Sequence, residues 1–296
     1  MTNDRLLKSA NDAFSDGNWA KAADLYDQLY QAEKTVKLNH LLVKSRYEMG
    51  RPETALAVMR EQEQSYFEDN YHVILWTKVM LANRLNVMVR VAMKTLTAVP
   101  HEMGVLVTEY EDVYLQTAHF SKDYQQFYQL SAQNLTGQRH QFEVGKALPL
   151  KEWLAAATHL LTDPFVKPIV RVSLLELMHK LKTDTPVHYL WLDGQPHDVV
   201  PSDLPELDDI PIVQATQAAL GQVVADDDPI TQQLYSESLR VQLSLLYPFV
   251  DHAVTNSKKW VRVLTGQISP DDPNSELQTM MKWQAKLAKM MQEMTP

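Results

Sequence analysis

Small and apolar residues recur at helical spacing on both sides of a short glycine turn in the first half of the chain. In the first such segment these positions are Ala10, Ala13, Phe14, Trp19, Ala22, Tyr26 and Leu29, with Gly17 at the turn. The pattern returns 33 residues later, with Gly50 at the turn and Ala55 in the position of Ala22. Glycine lets a chain reverse between helices, and a small residue one turn later lets their backbones approach. The spacing predicts two antiparallel helical hairpins over residues 4–66.

Two further segments keep part of this pattern. In residues 71–100, Arg84 stands in the place of the turn glycine and Val89 in the place of the small residue. In residues 109–135 the corresponding places hold Lys122, Tyr124 and Phe127. We expect helical hairpins here as well, with looser contact between the paired helices or a changed register.

The glycine turn, the small residue after it and their spacing resemble the tetratricopeptide repeat, a helical hairpin of 34 residues. The resemblance implies a stack of hairpins whose first helices line a concave face that binds peptides or helices of partner proteins. The candidate peptide-binding residues on that face are Asn11, Phe14, His40, Lys44, Tyr47 and Lys78.

The two lysines of this set predict a modest positive character for the groove, which suits a ligand with carboxylates. The alternative interpretation is that Lys44 and Lys78 are ordinary solvated side chains and that Tyr47 only fills space in the packing between helices. The sequence leaves both interpretations open.

The repeat pattern breaks at residues 136–149, which contain Gly137 and Gly145 and end at Pro149. We therefore expect a helical repeat region over residues 1–142 and a mostly helical region over 143–296. In the second region, Asp163-Pro164 predicts the start of a helix that runs to about Leu181. Further helices are predicted over 151–161, 211–224, 229–245 and 275–294.

Residues 187–200 carry the one convincing strand signal, because β-rich runs flank Asp193-Gly194, a dipeptide favoured in tight hairpin turns. The predicted fold is therefore mostly all-α, a tetratricopeptide-like superhelix followed by a helical region with one small β-hairpin. The second region also resembles the C-terminal extension of uncharacterised bacterial cytoplasmic tetratricopeptide proteins, a likeness that implies no activity.

Composition narrows the classes of partner. The 28 basic and 37 acidic residues give a formal charge of −9, which disfavours nucleic acid. Cysteine is absent, so disulfides and thiolate chemistry are excluded.

No run of about 20 apolar residues and no signal-like N-terminus is present, so we expect no membrane segment and a cytoplasmic location. Residues 183–239 hold eleven Asp or Glu and no Lys or Arg, which indicates a solvated acidic surface or a docking site for a basic partner.

Motifs for catalysis or cofactor binding are missing: the sequence has no HExxH, no GxSxG and no glycine-rich phosphate loop. The best cluster of possible metal ligands is His188, Asp193, His197 and Asp198, because pairing of the hairpin strands is one way to bring the two histidines near each other. Ordinary exposed polar residues are the favoured interpretation there, and we expect no metal site. We expect no cofactor and no catalytic residue.

The last predicted helix carries a methionine-rich apolar stripe, which either covers the protein's own core or forms an interface with a second copy of the chain or with a partner helix.

The predicted function is a non-catalytic interaction module that binds another protein or peptide. The alternatives are a metal-dependent hydrolase or other enzyme in the acidic second half, and a peptide-sensing regulator. Such a regulator normally includes a basic helix-turn-helix, and none is visible.

Overall fold

Helices make up most of the protein. The computed structural model describes residues 3–225, 228–268 and 274–294, and it is 74% helical, with 16 α-helices and one two-stranded antiparallel hairpin in those residues. The predicted fold class, mostly all-α with one small β-hairpin, is confirmed.

The helices of the first half, with a 3-10 helix (Arg60–Phe67) after α4, are α1 (Asn3–Ser15), α2 (Trp19–Ala32), α3 (Val36–Glu48), α4 (Pro52–Met59), α5 (Asn70–Ala82), α6 (Asn86–Thr95), α7 (His101–Leu115) and α8 (Ala118–Tyr128). Those that follow are α9 (Leu135–Gly145), α10 (Leu150–Leu160), α11 (Pro168–Lys180), α12 (Pro211–Val223), α13 (Pro229–Leu246), α14 (Val250–Ala253), α15 (Ser257–Leu264) and α16 (Ser275–Gln292). The strands are β1 (Val187–Leu190) and β2 (Pro196–Val199).

The first two hairpins fold as the spacing predicts. In the first, the Phe14 ring meets Trp19 near the turn, while the Tyr26 hydroxyl, farther from the turn, donates to Asn11 at 2.8 Å, so α1 and α2 run antiparallel. Ala22 is fully buried at this contact, and Ala55 is fully buried in the second hairpin. Small side chains at these two positions let the paired backbones approach.

The turns of the first three hairpins share a left-handed residue. Gly17 has φ +70° and Gly50 has φ +77°, values that cost glycine little. Arg84 adopts φ +61° at the third turn despite its side chain. Its guanidinium donates to the Tyr114 hydroxyl at 2.8 Å and pairs with the buried carboxylate of Asp123. These contacts hold the arginine where the repeat pattern has glycine.

The chain divides into two compact units. Unit 1 consists of Met1–Phe127 and Gln141–Ala156, and unit 2 consists of Tyr128–His140 and Ala157–Pro296. The core of unit 1 lies between the paired helices, around large buried side chains such as Tyr26, Met59 and Tyr66. The predicted division between residues 142 and 143 stays a prediction.

The segment 136–149, where the repeat pattern breaks, is helical over its first ten residues, because α9 spans Leu135–Gly145. The side chain of Asn134 accepts from the amide of Gly137 at 2.9 Å and so supports the start of this helix. Gly145 permits close packing here, since a Cβ atom at this position would lie 2.5 Å from the Phe127 ring. The sequence alone does not show that Gly145 makes room for this ring.

The helix predicted to begin at Asp163-Pro164 begins instead at Pro168. Asp163 accepts from the amide of Phe165 at 2.8 Å, which makes a tight turn. Lys167 is extended, as a residue before proline tends to be, and Pro168 occupies the first helical turn. The second proline therefore sets the start of α11.

The other predicted elements of unit 2 are confirmed, with small differences at their ends. Strands β1 and β2 pair across a turn in which Gly194 has φ +84°. The hairpin contacts the end of α13, where the indole N–H of Trp191 donates to the carbonyl of Leu246 at 3.0 Å. Asp228 caps α13 by accepting from the amides of Ile230 and Thr231. Asp226 and Asp227 lie outside the described residues.

Part of the apolar stripe of α16 packs against unit 2 itself. Leu277, Met280 and Leu287 are buried, and the helix packs against α13, α14 and α15. A homodimer through this helix stays a prediction. None of the described helices is long and apolar enough to span a bilayer.

Candidate functional site

The first helices of successive hairpins line two adjoining cavities in unit 1. The first cavity, of about 420 Å³, is lined by Phe14, Val36, Lys37, His40, Leu41, Lys44, Glu68, Asp69, Tyr71 and His72. The second, of about 480 Å³, is lined by Lys44, Asn70, Tyr71, Ile74, Leu75, Lys78, Pro100, His101 and Glu102. Lys44 and Tyr71 belong to both. We call the two cavities together the groove; it follows α1, α3, α5 and the start of α7.

Four of the six predicted peptide-binding residues line the groove. Phe14 and His40 lie in the first cavity, Lys78 lies in the second, and Lys44 lies in both. Asn11 is outside both linings, and its side-chain oxygen accepts the hydrogen bond from Tyr26 described above. Tyr47 is partly buried against the core of unit 1 and also lies outside them. The structure thus brings together the central members of the predicted set.

The charges that line the groove are balanced. Lys44 pairs with Glu48 at 2.6 Å, and Lys78 pairs with Glu102 at 3.3 Å. Lys37 makes no ion pair within the described residues. Lysines 37, 44 and 78 are matched by three carboxylates in the two linings, those of Glu68, Asp69 and Glu102. Hence neighbouring carboxylates, some close in the sequence such as Glu48 and some distant such as Glu102, largely neutralise the positive character predicted from Lys44 and Lys78.

A buried histidine forms part of the groove wall. The ring of His40 lies 4.0 Å, centroid to centroid, from that of His72, whose Nδ1 is 2.6 Å from Asp69. His40 Nε2 lies 2.7 Å from Ser65 Oγ, and this hydroxyl donates its proton to the carbonyl of Gln62. Nε2 of His40 therefore carries the proton and donates to Ser65, which leaves Nδ1 unprotonated.

Burial is the main reason that the pKa of His40 falls from its ordinary value of 6.5 to about 4. The neighbouring His72 lowers the pKa of His40 further, and Asp69 opposes the shift. At neutral pH the groove wall therefore presents a neutral imidazole. Ser65 is a poor candidate for a nucleophile, because its proton is held by a backbone carbonyl and it lies outside both linings.

The histidine pair of the β-hairpin does not converge. Strand register places His188 opposite Asp198 and Tyr189 opposite His197, so the two imidazoles lie on opposite faces of the hairpin. His188 Nδ1 lies 2.5 Å from Asp198, and His197 Nε2 lies 2.8 Å from Asp193. Strand pairing therefore does not bring the two histidines together, as a metal site would require. Among the described residues, no group of three or more acidic or histidine side chains is placed to hold a metal ion.

Tyr71 is the most prominent groove residue that the sequence did not identify as a candidate site. It lies in the first turn of α5, with 62% of its surface exposed, and borders both cavities. The useful sequence signal was Asp69, which caps α5 by accepting from the amide of His72 at 2.9 Å. The cap sets the start of α5, and Tyr71 in its first turn lines the same two cavities as Lys44.

Comparison of the chain with known protein families, with curated proteins and with solved structures found no match.

Proposed function

We propose that unit 1 is a non-catalytic interaction module of the tetratricopeptide type, which binds an extended peptide or a helix of a cytoplasmic partner protein in the groove. The observation that supports this most is the continuity of the two cavities. They follow the first helices of the hairpins and share the exposed ring of Tyr71. Single exposed aromatic side chains beside a cavity are typical anchors of protein interfaces.

The groove offers a mixed surface to such a ligand. Phe14, Ile74 and the ring of Tyr71 provide apolar contacts, while Lys37 and the neutral His40 provide polar ones. Because the lining charges balance, a ligand held mainly by apolar side chains and hydrogen bonds suits the groove better than a highly acidic one. This differs from the acidic ligand that the lysines alone predict.

Selection from a phage-displayed random peptide library tests the proposal, with the full chain as bait. We expect a peptide family whose affinity falls about thirtyfold on Tyr71→Ala, since truncation of an aromatic anchor costs about 2 kcal/mol. Val113→Ala is the matched control: Val113 is an apolar residue of unit 1 with 67% of its surface exposed, and it lies outside both linings. Equal affinity of the selected peptides for both variants, or failure to select any peptide, would overturn the proposal.

A further inference from the structure

Unit 2 contains a further cavity, which shares no lining residue with the groove. Its volume is about 700 Å³, and its walls come from α9, α13, α15, α16 and Met294 just beyond α16. The apolar part of the lining consists of Val241, Leu264, Ala285, Ala288, Met291 and Met294. A volume of this size falls within the range of sites for small molecules, about 300–1,000 Å³.

Two buried amides in the cavity wall are held in fixed orientation by one tryptophan. The indole N–H of the fully buried Trp260 donates to Gln242 Oε1 at 3.1 Å, and the backbone carbonyl of Trp260 accepts from Gln284 Nε2 at 2.8 Å. Both glutamines line the cavity, and each is more than nine-tenths buried. Their orientation is therefore set by hydrogen bonds to the protein itself.

Each of these amides keeps one polar group without a partner in the described part of the chain. Gln242 has an unused N–H₂ group, and Gln284 has an unused carbonyl oxygen. The Gln242 nitrogen and the Gln284 oxygen are not among the fully enclosed side-chain atoms that lack a hydrogen-bond partner, so both keep some access to solvent. The cavity wall thus presents an N–H donor and a carbonyl acceptor to a ligand, next to apolar surface.

Arg139 is the single charged residue of the lining among the residues described. Its guanidinium makes no ion pair and no hydrogen bond within that part of the chain, so its five N–H donors are available. A guanidinium beside apolar surface recognises a carboxylate through two parallel hydrogen bonds, which are stronger than bonds between neutral groups. Charge complementarity therefore calls for an anion with an apolar body.

We propose that this cavity binds a small amphipathic carboxylate. The carboxylate pairs with Arg139 and accepts a hydrogen bond from Gln242, while an aliphatic body lies against Val241, Leu264 and the methionines. This site is separate from the groove, and it would remain if the proposed function of unit 1 failed.

Calorimetric titration of the full chain with decanoate tests the site, with 1-decanol as a probe of equal length and no charge. We expect Arg139→Gln to weaken decanoate binding by about tenfold to a hundredfold, because a charge-assisted hydrogen bond is lost. Arg240→Gln removes the same charge from α13 at a position outside the lining and is the matched control. It should bind as the wild type does, and decanol should bind more weakly than decanoate.

Methyl NMR of ¹³C-methionine protein locates the ligand. The signals of Met291 and Met294, assigned with Met→Leu variants, should shift on addition of decanoate, and Ala288→Trp should abolish the shift by filling the cavity. No binding to the wild type would overturn the proposal. Equal binding to the wild type and Arg139→Gln would do so as well, as would equal affinity for decanol or shifts unaffected by Ala288→Trp.

Discussion

A single buried histidine gives unit 1 a pH-dependent stability. The pKa of His40 is about 4 in the folded chain, against 6.5 for an ordinary histidine, and the groups that face it are His72 and Asp69. Since the folded pKa is the lower one, the unfolded chain takes up this proton first as the pH falls below about 6.5. Stability is therefore lost between pH 6.5 and about 4, and no further loss comes from this group below that range.

His40→Gln removes this titration and keeps a side-chain N–H that can donate to Ser65. Between pH 7 and pH 5 we expect the wild type to lose about 2 kcal/mol more of its unfolding free energy than the variant does. Urea denaturation at both pH values measures the difference. His140→Gln, which replaces an exposed histidine, should behave as the wild type. An identical pH dependence in His40→Gln would show that His40 does not titrate in this range.

At the same scale, some polar residues could not be interpreted from sequence. Asn39 is fully buried, with its N–H₂ group bonded to Tyr30 at 3.0 Å and to the carbonyl of Val58 at 2.8 Å, and its oxygen accepts from Tyr66 at 2.8 Å. These partners lie 9, 19 and 27 residues away along the chain. Helical periodicity places Asn39 on a helix, but it does not reveal that residues of three other segments form hydrogen bonds with its side-chain amide.

The close contact at Ala22 is the element-scale feature that the repeat pattern predicted best. Replacing Ala22 with leucine forces extra volume between α1 and α2, and we expect a loss of about 1–3 kcal/mol in unfolding free energy. Ala20→Leu, on the exposed face of the same helix, should change it by no more than about 0.5 kcal/mol. Chemical denaturation of the two variants compares them. Equal stability would mean that α1 and α2 tolerate a wider separation than the buried alanine implies.

Prediction of elements was most accurate where a turn signal and a small residue coincided, as at Gly17 with Ala22. The role of a residue was harder to predict where it depends on tertiary contacts. Gly145 admits the ring of Phe127, a residue 18 positions earlier, and Pro168 outweighs Pro164 in starting α11. The groove shows the same limit, because the pairing of Lys78 with Glu102 depends on α5 and α7 being neighbours. Local pattern supplies helices and their faces, but not the partners of each side chain.

At the scale of the whole molecule, unit 1 is discontinuous in sequence. The segment Gln141–Ala156 belongs to it together with the residues up to Phe127. The carbonyl of Leu148 accepts from Asn86 at 2.9 Å, and the amide of Leu150 donates to Glu111 at 3.2 Å. Leu148 is also fully buried. One polar side chain of α6, Asn86, and one of α7, Glu111, are therefore bonded to a segment more than 35 residues further along the chain.

A comparison of two fragments tests this arrangement. The fragment 1–142 ends at the boundary that sequence alone predicts, and 1–160 adds the rest of the returning segment. Trp153, fully buried and stacked on Phe127, and the buried Leu148 are present only in the longer one. Burying one such side chain stabilises by about 1.5–3 kcal/mol, so we expect 1–142 to be less stable by about 3 kcal/mol or more. Urea denaturation followed by circular dichroism measures both fragments. Equal midpoints would place the end of unit 1 at residue 142, whereas a lower midpoint for 1–142 would extend the unit to the helix that carries Trp153.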